Sequence, residues 1–277
     1  MPLTRLFWLV LLAMTAFAGN SLLCRAALRQ TGLDAATFTL LRLISGALVM
    51  SLLARGRQTA ISGSWLSALA LFVYAGAFSL AYLTLTAGTG ALLLFGAVQA
   101  TMILTGLWAG ERLNPGQVAG LALALSGLVI LLLPGLAAPP LSGALLMLAA
   151  GVAWGVYSLR GRGVGNPLGA TAGNFLRAVP LGFLLSLLLL RWLHWDATGA
   201  LYAIVSGGLA SGLGYAVWYT AVPELSATRA ATVQLSAPII AAAGGIALLG
   251  EPLSWRLLLA AAAILSGIAL VVYRRQG

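Results

Sequence analysis

Long apolar stretches separated by short polar breaks dominate the pattern of this 277-residue chain. A helix that crosses the hydrocarbon core of a bilayer needs about 20 apolar residues. Ten stretches reach that length, at residues 6–24, 35–54, 65–85, 89–109, 115–134, 141–159, 168–190, 199–220, 228–249 and 254–273. The pattern therefore predicts an all-α membrane protein with ten transmembrane helices.

The chain also repeats itself at about half its length. The repeated residues, each with its later counterpart, are Arg25 with Arg160, Arg42 with Arg177, Glu111 with Glu251 and Ser126 with Ser266. The first two pairs are 135 residues apart and the last two are 140 apart. Because five helices are an odd number, the second unit enters the membrane in the opposite orientation. We predict two inverted five-helix repeats, residues 1–137 and 138–277.

The distribution of arginine between loops predicts the orientation. With a cytoplasmic N-terminus, nine arginines fall inside, namely Arg5, Arg55, Arg57, Arg112, Arg160, Arg162, Arg229, Arg274 and Arg275. Four fall outside, namely Arg25, Arg29, Arg191 and Arg256. The positive-inside rule then favours both termini in the cytoplasm and a multi-pass protein of the cytoplasmic membrane. Ala16-Phe17-Ala18 imitates a signal cleavage site, but the repeat pairs the first stretch with the sixth, so we expect it to be retained.

Composition excludes several classes of protein. The chain is 61% hydrophobic and 7% charged, whereas soluble domains are about 25% charged. Its net charge of +10 is spread over many short loops, which indicates lipid headgroups rather than nucleic acid as the partner. A single cysteine, Cys24, and a single histidine, His194, leave no basis for a metal site, a cofactor or an intramembrane enzyme.

Polar groups inside the spans are the candidate binding residues, because they are costly in lipid. Arg42 and Arg177 each lie about eight residues into their spans. Either they face a cavity and attract an anionic or carboxylate-bearing substrate, or they donate to backbone carbonyl groups. Four amide side chains are further candidates, and each either donates or accepts a hydrogen bond between helices or contacts the substrate. They are Asn20, Gln99, Asn174 and Gln234.

Aromatic residues and prolines add further candidates. The aromatic set, which includes one neighbouring hydroxyl, is Tyr74, Phe78, Tyr82, Trp154, Tyr157, Ser158, Tyr215, Trp218 and Tyr219. Tyr74, Phe78 and Tyr82 are four residues apart on the third span and therefore share one helix face. Such a face suits either packing or the wall of a site for an amphipathic ligand. Pro180 and Pro238 lie inside spans and are either hinges or fixed kinks.

The five carboxylates fall at predicted helix ends or in loops: Asp34, Glu111, Asp196, Glu224 and Glu251. Glu111 and Glu251 precede the fifth and tenth spans, where negative charge stabilises a helix N-terminus. Asn114-Pro115 and Ser254 are the predicted caps of those spans. With no carboxylate clearly in the core, we do not expect an obligatory proton exchanger.

Several motifs resemble one known family. They are Thr39-Leu40-Leu41-Arg42, Leu225-Ser226-Ala227 through Pro238, Leu249-Gly250-Glu251-Pro252-Leu253 and Ser266-Gly267-Ile268. With the five-plus-five plan, they are similar to the EamA-type branch of the drug/metabolite transporter superfamily. The resemblance implies a central cavity between spans 1–4 and 6–9, with spans 5 and 10 at the periphery. Related four-helix multidrug exporters use a glutamate in their first helix, and spans 1 and 6 have none.

The predicted function is export of amino acids or similar amphipathic metabolites by alternating access. The alternatives are import of nucleosides, sugars or sugar phosphates, and, in a different class, a non-transporting membrane scaffold. The predicted partners are a small-molecule substrate and the lipid bilayer, and the predicted assembly is a monomer or a weak homodimer.

Overall fold

Ten apolar helices form the protein in the computed structural model, which describes residues 1–110, 112–133, 138–225 and 227–273. We label them α1 to α10. They are α1 Leu3–Gln30, α2 Ala35–Gly56, α3 Trp65–Tyr82, α4 Ala87–Trp108, α5 Pro115–Leu132, α6 Leu141–Arg160, α7 Pro167–Leu188, α8 Ala197–Glu224, α9 with its two segments Ala227–Gln234 and Ser236–Leu249, and α10 Trp255–Tyr273. The prediction of an all-α protein with ten long apolar helices is confirmed. Glu111, Ser226, Arg274 and Arg275 lie outside the described residues.

Side-chain caps define where many of the helices begin. Asp34 accepts hydrogen bonds from the backbone N–H groups of Ala36 and Thr37, both at 2.9 Å. The predicted cap of α5 is confirmed, since Asn114 and Gln117 form a capping box with proline at the first helical position. The Ser254 hydroxyl likewise accepts from the backbone of α10. These bonds satisfy N–H groups that have no partner within the helix.

Two of the helices are irregular. In α8, a π-helical segment, Ser206–Leu213, separates the helices Ala197–Val205 and Gly214–Ala221. In α9, Leu235 interrupts the helix between Gln234 and Ser236. Pro238 has no N–H to donate to the carbonyl group of Gln234, which weakens the helix at that turn. By contrast, α7 continues through Pro180 without interruption.

Helix packing in one half has a counterpart in the other half. The α3–α6 contact corresponds to α1–α8, the α4–α6 contact to α1–α9, and the α2–α8 contact to α3–α7. The α2–α7 and α5–α10 contacts correspond to themselves. This pattern is what a duplicated five-helix unit requires. The inverted relation of the two halves stays a prediction.

The α5–α10 pair lies at the periphery, and it contacts α4 and the first part of α9 only lightly. Its interface depends on glycine. A Cβ atom at Gly120 would lie 2.7 Å from the carbonyl oxygen of Gly267, and one at Gly267 would lie 2.5 Å from the backbone nitrogen of Ala124. Such close backbone approach is how helices pack in lipid, where no hydrophobic force drives them together.

The loops fall into two groups that contact each other at opposite ends of the helices. At one end, Asn166 in the α6–α7 loop donates to the carbonyl oxygen of Ala60 in the α2–α3 loop. At the other end, Asp34 in the α1–α2 loop exchanges hydrogen bonds with His194 in the α7–α8 loop. We call the first end the Arg160 face and the second the Arg25 face, after the arginines that end α6 and lie near the end of α1.

Candidate functional site

A cavity of about 440 Å³ lies between the two halves of the protein. Its volume is within the range of small-molecule sites. The lining residues used below are Asn20, Ser64, Ser67, Tyr74, Phe78, Trp154, Tyr157, Ser158, Arg160, Thr171, Asn174, Tyr215, Trp218, Tyr219 and Gln234. They come from α1, α3, α6, α7, α8, α9 and the α2–α3 loop, and α4 adds apolar side chains.

The cavity occupies only the half of the protein that is nearest the Arg160 face. Along α3, the lining runs from Ser67 through Tyr74 to Phe78 and stops there. Tyr82, one turn further, is fully buried and donates to the carbonyl oxygen of Ala87 at 3.3 Å. The loops of the Arg160 face, including Ser62–Ser64, contribute to the lining, so the cavity is continuous with that face.

Stacked aromatic rings form the inner wall of the cavity. Trp154 stacks on Tyr157 at 5.2 Å and on Tyr215 at 5.3 Å, with interplanar angles of 23° and 25°. The ring of Tyr74 lies 4.8 Å from Trp154. Tyr219 follows at 6.4 Å from Tyr215. Such a wall offers flat apolar surfaces with hydroxyl groups at their edges, which suits an amphipathic ligand.

Hydrogen bonds orient the hydroxyl groups of this wall. Tyr157 donates to Thr171 at 3.4 Å, and the hydroxyls of Thr171 and Tyr219 are 2.8 Å apart. Asn174 donates to the Tyr157 hydroxyl at 3.4 Å and accepts from the backbone N–H of Ser64 at 2.9 Å. The polar groups of α6, α7 and α8 therefore form one chain that ends at the α2–α3 loop.

Arg42 lies behind the wall rather than in it. Its side chain is 2% exposed, and its Nη2 donates to the Tyr74 hydroxyl at 2.8 Å. The guanidinium carbon is 5.0 Å from the centre of the Tyr74 ring and 4.8 Å from that of Phe78. Asn20 donates to the same Tyr74 hydroxyl at 3.3 Å and accepts from Ser206 of the π-helical segment. This network joins α1, α2, α3 and α8 at the base of the cavity.

Arg160 is the charged residue among the described lining of the cavity. It ends α6, its side chain is exposed, and it donates to Ser67 through Nε at 3.0 Å and to Ser64 through Nη2 at 3.4 Å. Both serines belong to the start of α3, 93 and 96 residues earlier in the chain. The two hydroxyls hold the guanidinium at the mouth of the cavity.

An ion pair closes the opposite end of the protein. Arg25 donates through Nε to Glu251 at 3.0 Å and through Nη1 to the carbonyl oxygen of Tyr82 at 2.9 Å. The other oxygen of Glu251 accepts from the backbone N–H of Ala87 at 2.8 Å. Because these groups come from α1, the α3–α4 connection and the α9–α10 loop, one carboxylate ties three parts of the chain together on the Arg25 face.

Four of the predicted site residues do not line the cavity. Tyr82 lies beyond its closed end, and Arg42 is shielded by Tyr74. Arg177 donates to the carbonyl oxygens of Ser62 and Gly173, at 2.7 and 2.9 Å. Of the two roles expected for Arg177, this is the one in which it donates to backbone carbonyl groups rather than facing the cavity. Gln99 is buried, and its α4 neighbours Phe95 and Val98 face the cavity instead.

The other eleven predicted residues lie together around the cavity: Asn20, Tyr74, Phe78, Trp154, Tyr157, Ser158, Asn174, Tyr215, Trp218, Tyr219 and Gln234. Their binding of substrate stays a prediction, as does hinge motion at Pro180 and Pro238. The structural role expected for Glu251 needs correction, because its carboxylate binds Arg25 and the start of α4 rather than the start of α10.

Sequence reasoning missed Arg160, Ser64, Ser67 and Thr171 as cavity residues. In the sequence, Arg160 indicates the repeat and the orientation of the chain, and nothing at its own position marks it as a cavity residue. The available signal was its repeat relation to Arg25, since Arg160 ends the first helix of its unit and Arg25 lies in the last turns of the first helix of the other. The serines carried no signal of their own, because one caps α3 and the other lies in its first turn.

The ten apolar helices around a polar and aromatic cavity define a multi-pass membrane transporter, and comparison with known proteins specifies its family. Residues 141–273 match the EamA-like transporter family. This match covers the second five-helix unit and agrees with the resemblance seen in the sequence, and the chain is a membrane transporter of metabolites.

Similar proteins cover much or all of the chain. An uncharacterised protein of Pseudomonas aeruginosa is 58% identical over 100% of this chain and 98% of its own length. A "probable amino-acid metabolite efflux pump" of Salmonella typhimurium is 29% identical over 68% of each chain. A "probable terminal-alkyne amino-acid exporter" of Streptantibioticus cattleyicolor is 30% identical over 69% of this chain and 66% of its own.

The fold is also found among solved structures, and a crystal structure of a protein provides an example. It superposes with a TM-score of 0.69 over 97% of this chain and 99% of its own, at 20% sequence identity.

Proposed function

We propose that this protein exports amino acids or similar amphipathic metabolites by alternating access. The observation that carries the proposal is the one-sided cavity. It reaches the loops of the Arg160 face, whereas Tyr82 and the Arg25–Glu251 pair close the Arg25 face. In alternating access, a site near the middle of the membrane opens to one side at a time.

The predicted orientation turns this geometry into a direction. The positive-inside rule puts the Arg160 face in the cytoplasm, since Arg55, Arg57, Arg160 and Arg162 lie in its loops. A cavity open to the cytoplasm is the loading state of an exporter. The names of the Salmonella and Streptantibioticus relatives, an efflux pump and an exporter, favour the same direction.

The chemistry of the wall suits an amphipathic substrate. Trp154, Tyr157 and Tyr215 give stacked apolar surface, while Asn174 and Thr171 supply hydrogen bonds beside it. Import of nucleosides, sugars or sugar phosphates is the alternative function.

Exchange driven by the substrate gradient is the proposed energy source. The described residues of the lining include Arg160 but neither Asp, Glu nor His. Arginine keeps its charge at all physiological pH values and cannot carry a proton through the cycle.

Counterflow in proteoliposomes tests the function. Vesicles loaded with unlabelled substrate, without a pH gradient or voltage, are diluted into labelled aromatic amino acids, aliphatic amino acids, nucleosides and sugars. We expect exchange of amino acids. Exchange of nucleosides or sugars alone would establish the alternative.

Two tryptophan variants serve as controls for the cavity. Trp154→Ala removes the ring on which Tyr157 and Tyr215 both stack. Because each aromatic pair contributes about 0.5–1.5 kcal/mol, we expect transport to fall by about tenfold or more. Trp195→Ala, at an exposed loop position on the Arg25 face, should transport like the unmodified protein. Equal transport by both variants would refute the assignment of this cavity as the site.

A further inference from the structure

We infer that Arg160 binds the carboxylate of the substrate, so that the cavity selects compounds with a free carboxylate beside an apolar or aromatic group. This inference rests on the proposed function, and it adds the substrate class and the residue that recognises it.

The geometry of Arg160 leaves donors for a ligand. A guanidinium has five N–H donors in a planar fork. The recorded bonds from Nε to Ser67 and from Nη2 to Ser64 use two of them. Among the described residues, no carboxylate pairs with Arg160. The remaining donors lie at the mouth of the cavity on a side chain that two hydroxyl groups already orient.

The repeat counterpart of Arg160 binds a carboxylate in this structure. Arg25 lies near the end of α1 and donates its Nε to Glu251 at 3.0 Å, while its Nη1 donates to a carbonyl oxygen. Arg160 instead donates its Nε to Ser67 and its Nη2 to Ser64, and it lines the cavity. Glu111, the repeat counterpart of Glu251, lies outside the described residues. Among the described residues no carboxylate completes the same arrangement at the open face, and we assign that place to the carboxylate of a ligand.

The electrostatics of the cavity favour an anionic group. Arg160 lies in the lining, and the buried guanidinium of Arg42 lies behind the ring of Tyr74. The described lining residues contribute no negative side chain to balance these two charges. A carboxylate is attracted, whereas a ligand with only an ammonium group is repelled.

The position of Arg160 on α6 relates the carboxylate to the aromatic wall. Tyr157 precedes Arg160 by three residues and so lies on the same side of the helix, one turn deeper. Trp154 lies one further turn into the cavity and stacks on Tyr157. A carboxylate at Arg160 therefore puts a group attached through a short linker, about 5 Å away, against these rings.

Calorimetric titration of the purified full-length protein in detergent tests the inference. The probes are 3-phenylpropanoate and its neutral isostere 3-phenylpropanamide. The variants are Arg160→Gln and, as a matched control, Arg162→Gln, which removes an exposed arginine from the same loop. A charge-assisted hydrogen bond contributes about 1.5–3 kcal/mol. We therefore expect Arg160→Gln to bind the carboxylate about 10- to 100-fold more weakly.

The remaining measurements separate the possible outcomes. We expect the amide to bind all three proteins equally, which also shows that Arg160→Gln is folded, and Arg162→Gln to bind the carboxylate normally. Carboxylate binding that is absent from the unmodified protein, or that survives Arg160→Gln unchanged, would overturn the inference. If the carboxylate binds through Arg160 but counterflow detects no transport of amino acids or 3-phenylpropanoate, the proposed function fails and this inference stands.

Discussion

Glu251→Gln tests whether the closed Arg25 face is held shut by its ion pair. The carboxylate of Glu251 accepts hydrogen bonds from Arg25 Nε and from the backbone N–H of Ala87. Glutamine keeps an oxygen for Ala87 but removes the charge that faces Arg25. The substitution is nearly isosteric, so it changes this one interaction without removing volume.

The magnitude follows from the burial of the pair. The side chains of Arg25 and Glu251 are 13% and 10% exposed, so water screens their attraction only partly. A hydrogen bond between charged groups in such a setting contributes about 1.5–3 kcal/mol. If the pair exists only while this face is closed, its loss shifts the equilibrium towards opening by about 10- to 100-fold.

The single cysteine provides the assay. Cys24 is fully buried and directly precedes Arg25 on α1. A buried thiol reacts with a maleimide only during opening, so its labelling rate reports the open population. We expect Glu251→Gln to label about 10- to 100-fold faster than the unmodified protein, as measured by the mass increase over time.

A second carboxylate provides the matched control. Glu224 pairs with the N-terminal amine at 3.1 Å, but its side chain is 43% exposed and lies on the Arg160 face. Exposed pairs contribute at most about 1 kcal/mol. Glu224→Gln should therefore label Cys24 at the original rate. If Glu251→Gln labels no faster than this control, the ion pair does not hold the face closed and the reasoning is wrong.

Three further predictions concern stability and coupling. Tyr74→Phe should lower the unfolding free energy in detergent by about 1–3 kcal/mol, because buried Arg42 loses its hydroxyl partner. The control Tyr202→Phe removes a hydroxyl that forms no side-chain hydrogen bond in the described part of the chain, so it should leave the unfolding free energy unchanged. Gly207→Ala should lower the melting temperature, because its Cβ would overlap the carbonyl oxygen of Arg42 on α2. The control Gly76→Ala should be tolerated, because a Cβ there would lie 3.5 Å from a methyl group of Leu185, which is an ordinary contact. Counterflow at equal pH on both sides should match counterflow under an imposed pH gradient; uphill accumulation driven by that gradient would contradict exchange.

Much of the fold could be predicted because lipid imposes a simple rule on the chain. Apolar length identified the ten spans, and turn residues located breaks such as Asn114-Pro115, whose capping box is present. Helix ends were less predictable. The first helix continues past the predicted residue 24 to Gln30, because arginine is a good helix former and Arg25 pairs there with the partly buried Glu251.

The candidate site was only partly predictable. Whether a side chain faces the cavity depends on the rotation of its helix about the helix axis and on partners that are distant in sequence. Arg42 looked suited to face a cavity, but Tyr74 accepts its hydrogen bond and covers it. Arg160 looked like a surface charge, but serines more than 90 residues earlier orient it over the cavity. The π-helical segment of α8 had no sequence signature beyond its glycines.

The peripheral α5–α10 pair has a mechanical consequence for a protein that alternates between two open faces. The glycine contacts at Gly120, Gly127 and Gly267 bring backbone against side chain and backbone with no room for sliding. Among the described residues, the main contacts of this pair with the cavity-forming helices are to α4 and α9. Under the proposed mechanism, α5 and α10 thus form a rigid pair that keeps its internal packing while the helices around the cavity tilt relative to it. A cross-link between α5 and α10 should consequently leave transport intact, whereas one between α3 and α6 should arrest it.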